Sequence, residues 1–102
     1  MNDRLTIEIA MFRLKDGADE AALLAAADAM LPDLKAVDGF VRRELIKNEN
    51  GQWIDILHWS SLAAAQRAAE LIMTWPSAQP FIALMDESSV SMQHFEHVRT
   101  YG

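Results

Sequence analysis

Apolar residues occupy both parities of the segment Leu5 to Leu14: Ile7, Ile9 and Met11 alternate with Thr6, Ala10 and Phe12, and Glu8 interrupts them. A strand covered on both faces has this pattern, so a central strand is predicted here. Lys15-Asp16-Gly17 breaks the run, and Asp16 or Asp19 can accept from the free amides of a first helical turn. Leu23, Ala27, Met30, Leu34 and Val37 then recur at helical spacing, an amphipathic helix closed by Gly39. Pro32 falls inside that helix. It deletes one backbone bond and crowds the carbonyl four residues back, which predicts a kink or a restart near Leu31.

Phe40 to Lys47 is of extended type, and Asn48-Glu49-Asn50-Gly51 supplies an Asn-Gly pair suited to a hairpin turn. The next strand runs from Gln52 to Trp59. Ser60 or Ser61 can cap a second helix whose buried stripe is Leu62, Ala65, Ala69 and Ile72, ended by Trp75-Pro76. A short third helix follows, with Ser77 as its cap, Pro80 in its first turn and Phe81, Leu84 and Met85 on its apolar side. Ser88 to Tyr101 closes the chain as a fourth strand. Strand, helix, strand, strand, helix, strand is a doubled split β-α-β unit, with both helices on one face of an antiparallel sheet. The other face then exposes Ile, Leu and Phe. A monomer avoids so large an apolar patch, and a second copy packed sheet against sheet covers it, so a homodimer through the sheet face is expected.

At 102 residues the chain is expected to be a single domain spanning 1–102, burying roughly two thirds of its unfolded surface. Nine Lys and Arg against fifteen Asp and Glu give a net charge of −6, which argues against a nucleic-acid surface and against anionic membranes. The sequence contains no Cys, which removes disulfides, thiolate catalysis and cysteine zinc sites and fits a reducing compartment. Met1-Asn2-Asp3-Arg4 is followed by no uninterrupted apolar stretch, and the weakly polar run Ala21 to Leu31 is too short to span a bilayer. A cytoplasmic protein is expected. No phosphate loop, dinucleotide fingerprint or Ser-His-Asp signature is present, so no nucleotide cofactor is expected.

From Gly39-Phe40 through the hairpin into Ile56-Leu57-His58-Trp59-Ser60-Ser61-Leu62-Ala63-Ala64-Ala65, the sequence resembles the dimeric α+β barrel superfamily, in its antibiotic-biosynthesis-monooxygenase-like branch. That resemblance implies an α+β, ferredoxin-like sandwich with a four-stranded antiparallel sheet. In the family motif a strand ends in Glu, any residue and an aromatic, followed by a Ser or Asp cap, a helical Ala, a His further along and another His before a Phe. Trp59, Ser61, Ala64 and Phe81 match; the acidic position falls on Leu57 and the two His positions on Ala68 and Pro80. The structural half of the motif is present and the polar half is not. Haem-degrading members resemble the chain at Trp75 and Phe81, but their iron-ligating His would fall on Met85 and their strand-one Asn near Phe12. A lone thioether anchors haem poorly, so no haem is expected.

Glu8 sits in an apolar strand, where a carboxylate must be paired or titrate high: it is either a general base or half of an ion pair with Arg42, Arg43 or Arg99. His58 shares parity with Ile54 and Ile56, as a proton shuttle or a hydrogen-bonded interface residue. The resemblance implies strands one and three as parallel neighbours, and in that arrangement Glu8 and His58 could form a dyad in a register the sequence does not give. Asp55 lies on the opposite parity with Trp53, Leu57 and Trp59, toward the helices, either to orient or deprotonate a substrate hydroxyl or to bond backbone amides. His94 and Glu96 share a face and His97 takes the other, so the trio does not converge on a metal. Trp59, Trp75, Phe81 and Met85 either line an aromatic pocket for a flat, quinone-like molecule or are core. Two functions follow. One is a cofactor-free monooxygenase or proton-transfer enzyme on a small aromatic molecule, with Asp55, His58 or Glu8 as base. The other is a non-catalytic ligand-binding or stress-associated barrel.

Overall fold

The computed structural model describes residues 4–102; the first three residues of the opening Met1-Asn2-Asp3-Arg4 lie outside them. Strand β1 (Thr6–Phe12) and helix α1 (Glu20–Lys35) are followed by β2 (Phe40–Lys47), β3 (Trp53–Trp59), helices α2 (Leu62–Ile72) and α3 (Gln79–Ala83), and β4 (Ser91–Glu96). The strands form one antiparallel sheet in the order β2-β3-β1-β4. The two central strands alternate strictly. Thr6, Glu8, Ala10 and Phe12 on β1 and Trp53, Asp55, Leu57 and Trp59 on β3 are buried, while the residues between them are only half-buried. Leu23, Ala27, Met30 and Leu34 of α1 and Ala65 and Ala68 of α2 join the same core, so both long helices cover this one face. No helix among the described residues is long and apolar enough to cross a membrane.

Several local expectations are corrected. The strands are antiparallel, with Glu8 opposite Leu57 and Ile7 opposite His58, so Glu8 and His58 point to opposite faces and form no dyad. Helix α1 runs through Pro32 without a restart and ends at Lys35, before Gly39. The carbonyl that Pro32 leaves unbonded belongs to Asp28, an exposed residue whose carbonyl water can satisfy. On α2 the buried positions are Ala64, Ala65 and Ala68, and Leu62 is exposed, so the helix packs on its smallest side chains. Ser77 does not cap α3; its hydroxyl donates to the Asp33 carboxylate. Strand β4 is shorter than Ser88 to Tyr101, because a 3-10 turn occupies Glu87–Ser89 and the chain beyond Glu96 is irregular.

Gly39 sets the approach of α2 to the sheet. Its φ is +96°, and a Cβ placed there would lie 2.7 Å from the Ala64 methyl and 2.8 Å from the Ser60 hydroxyl. Its carbonyl accepts from the Ser60 amide at 2.8 Å, which joins the end of β3 to the start of β2. Gly39→Ala therefore combines a left-handed backbone with overpacking and should lower unfolding free energy by about 1–3 kcal/mol in chemical denaturation. An unchanged denaturation midpoint would show that α2 can move aside freely.

Candidate functional site

A cavity of about 230 Å³ opens between the sheet and the helices. Its wall is apolar: Phe12, Leu57, Phe81, Met30, Met85 and Met92 line it, and Met73 and Val90 stand at its exposed edge. Three charged side chains enter it from the sheet, Glu8 from β1, Arg43 from β2 and Asp55 from β3. They meet because alternation puts all three on the helix-covered face and the strand registers stagger them by at most one diagonal step.

Asp55 and Arg43 neutralise each other. Arg43 Nε donates to Asp55 Oδ1 at 2.9 Å and Arg43 Nη2 to Oδ2 at 2.8 Å, with both side chains more than nine-tenths buried. The guanidinium also lies over the Phe81 ring, 4.6 Å from its centroid, and Nη1 faces the Ala27 carbonyl at 3.5 Å. This forked pairing occupies both carboxylate oxygens of Asp55. Phe81 is fixed in turn by an edge-on contact with Phe12, ring centroids 5.8 Å apart.

Glu8 has no arginine partner. It is 3% exposed, and its Oε1 lies 3.1 Å from Nε2 of His94, the residue directly opposite it on β4. Burial pushes the Glu8 carboxyl above the usual carboxylate range. The hydrogen bond and charge of His94 pull it down without cancelling that effect, and the nearby Asp55 charge pushes it further up. The Trp59 indole also favours the charged form, although its Nε1 falls short of hydrogen-bond geometry and is buried without a partner.

The other sequence candidates lie elsewhere. His58 is on the open face of the sheet, its Nε2 2.7 Å from Glu44 Oε1, an interaction that holds the Glu44 carboxyl below its ordinary range. Trp59 is fully buried in the core, edge-on to Phe40 at 5.6 Å, and Trp75 packs half-buried against the core; neither lines the cavity. Phe81 and Met85 do line it. No histidine lines the cavity, and the weak thioethers of Met30, Met73, Met85 and Met92 are its soft donors, so the residues do not fit a haem. Among the described residues no cluster of His, Asp and Glu could hold a metal. Sequence reasoning missed Arg43 as a cavity residue and His94 as the partner of Glu8. The hairpin turn carried a usable signal for the first. Pairing across Asn48–Gly51 sets Leu45 opposite Asp55 and leaves Arg43 one diagonal step away on the same face.

The two carboxylates should respond oppositely to mutation. Arg43→Met leaves Asp55 buried and unpaired and should cost about 3–5 kcal/mol in urea unfolding. Glu8 is raised from 4.5, so between that pH and its higher folded value the native state binds more protons than the unfolded chain. Stability contributed by protonated Glu8 is therefore present at low pH and lost as pH rises through this window. Glu8→Gln should flatten that decline and leave the protein at least as stable as wild type at neutral pH, in melting curves run across the window. A steeper decline in the variant would refute this assignment.

No protein-family model matches the sequence, and no curated protein matches it. Solved structures do. The cofactor-independent oxygenase SnoaB of Streptomyces nogalater superposes with a TM-score of 0.73 at 17% identity, over 95% of this chain and 96% of that one. A Bordetella bronchiseptica protein assigned by name to the antibiotic biosynthesis monooxygenases gives 0.75 at 14% identity, over 95% and 100% of the two chains. The haem-degrading protein Rv3592 of Mycobacterium tuberculosis gives 0.70 at 19% identity, over 99% of each. At these identities the likeness is one of fold. This chain therefore has the ferredoxin-like α+β fold that these proteins share.

Proposed function

We propose that the protein takes a small, flat, hydrophobic molecule of the phenol or quinone type into the cavity and acts on it without a cofactor, with Glu8 as the base. The observation that carries this reading is a buried carboxyl with no arginine or lysine partner, raised by burial, in a largely apolar cavity. A base with a raised pKa works closer to neutral pH than an ordinary carboxylate does. About 230 Å³ lies below the usual drug-sized range and suits one or two fused rings. Glu8 would accept the proton of an acidic O–H or C–H, and the electron-rich anion left behind would react with dioxygen or be reprotonated elsewhere. SnoaB, which shares the fold, is a cofactor-independent oxygenase. Asp55, clamped by Arg43, would position rather than deprotonate, and His58, on the far face, would serve the interface.

A non-catalytic ligand-binding barrel is the second reading, favoured by Leu57, Ala68 and Pro80 at the polar positions of the motif. Leu57 meets the cavity with a hydrocarbon. Incubating hydroxynaphthoquinones and their reduced forms with the protein under oxygen separates the two. Glu8→Gln should lose about a hundredfold or more in turnover while still binding, seen as saturable fluorescence quenching. Saturable quenching with no product from the wild type would leave the binding reading alone standing.

The open face of the sheet presents Ile7, Ile9, Met11, Ile54 and Ile56 half-exposed, with Ile46 and Phe95 about half exposed at 48% each. A contiguous apolar sheet face of this kind supports a homodimer packed face to face, in a reducing cytoplasm that suits a chain without cysteine. Ile9→Glu should convert a dimer into a monomer in light scattering. A wild-type monomer would end that proposal.

A further inference from the structure

The Glu8 carboxyl has two sides. Oε1 meets His94, whereas Oε2 has no hydrogen-bond partner among the described residues and is not sealed; the one sealed, unpartnered polar side-chain atom there is Trp59 Nε1. Glu8 lines the cavity, and Oε2 is the carboxyl oxygen that His94 leaves free there. His94 belongs to a different space. Its side chain is 24% exposed and lines an open groove of about 480 Å³ between β4 and the start of α2, bordered by Thr6, Ser61, Leu62 and Glu96. Its Nδ1 has no protein partner among the described residues, and the residue lines that groove. Glu8 and His94 thus form a two-residue wire along the helix-covered face of the sheet, from the residue that lines the cavity to the one that lines the groove.

We propose that His94 is a proton relay, a positioning residue that connects buried Glu8 to bulk water through the groove. This rests on the reading of Glu8 as the cavity's base. A seated ligand covers the cavity side of Glu8; at the mouth beyond it Met73, Val90 and Met92 carry no titratable proton, and Glu87 is an exposed carboxylate at the rim. The other groups facing the pair do not offer a route. Both Asp55 oxygens accept from Arg43, the Trp59 indole only donates, and Glu87 stands exposed at the cavity rim. Arg4 and Glu96 pair with each other at 3.4 Å, largely in solvent. In the relay the Glu8 O–H bond breaks as its proton forms a bond to His94 Nε2. The imidazolium so produced releases one proton to groove water. Only a proton moves, so no oxidant or reductant is consumed.

The test uses the ligand-free wild-type chain and His94→Gln, which can hold a hydrogen bond to Glu8 but cannot pass a proton on. Time-resolved infrared spectroscopy after a pH jump follows the Glu8 carboxyl band, assigned by its loss in Glu8→Gln. Glu8 should re-equilibrate about a hundredfold more slowly in His94→Gln than in wild type, and imidazole added to His94→Ala should restore the fast phase. Equally fast exchange in His94→Gln would overturn the relay, because a merely structural hydrogen bond is what that substitution retains. Should the variants fail to fold, wild type alone decides: the His94 ring 15N signals and the Glu8 band must titrate together as one coupled pair. Independent titration would overturn the proposal. Because no ligand is present, a fast relay in a protein that turns nothing over refutes the proposed activity and leaves the relay standing.

Discussion

Two carboxylates buried on the helix-covered face of the sheet are the constraint around which the rest of this molecule is arranged. Burying an isolated carboxylate is far costlier than burying a leucine, and a domain of this size has only about 5–15 kcal/mol of net stability to set against it. The fold meets that cost in two unequal ways. Asp55 receives a permanently charged fork from Arg43, which is itself stacked on Phe81 and turned toward the Ala27 carbonyl. Glu8 receives a single imidazole that can be charged or neutral. The first solution makes a rigid floor. The second leaves a buried carboxyl that no permanent charge neutralises, and that difference sets Glu8 apart from the structural ion pair beside it.

Strand alternation places both solutions. Because β1 and β3 are the central strands and pair antiparallel, even positions of β1 and odd positions of β3 share the covered face, and the residues between them make the open one. The same alternation sends His58 and Glu44 outward, into a pair on the open face beside an apolar surface. On the covered face, cavity volume exists because α2 meets the sheet through alanines, and the rest of the lid is built from flexible side chains, Met30, Met73 and Met85. Unbranched thioethers fill irregular space with little rotameric strain, so such a lid can adapt to an occupant.

The element order was legible because periodicity survives in sequence. β2 runs from Phe40 to Lys47 as its extended pattern predicts, Asp19 and Ser61 cap their helices through side chains, and Phe81 and Met85 reach the cavity. Pairings between distant strands were not legible. Nothing local to Glu8 or His94 encodes that they stand opposite each other 86 residues apart; that follows only once β4 is laid antiparallel beside β1. The reading of Glu8 with His58 failed on register, since a one-residue change of register turns every side chain to the other face. The aromatic residues misled for a different reason. Trp59 and Trp75 have the size and polarity of ligand-binding residues, yet a large ring at the end of a strand is as easily spent on the core, where Trp59 lies edge-on to Phe40.

The register also bears on the missing polar half of the motif. Its acidic position falls on Leu57, and a hydrocarbon there counts against chemistry as long as position 57 is considered alone. In the sheet, however, the Cα partner of Leu57 is Glu8. Residues directly opposite on antiparallel strands have Cβ atoms about 5 Å apart and project into the same space, so a carboxyl on β1 can reach the region that one on β3 would occupy. Two carboxyls at both positions would repel each other at close range in a low dielectric. Leu57 therefore stands beside a carboxyl rather than in place of one. It is an apolar neighbour that adds to the burial of Glu8, a carboxyl one strand over from the position where the linear motif places its acid.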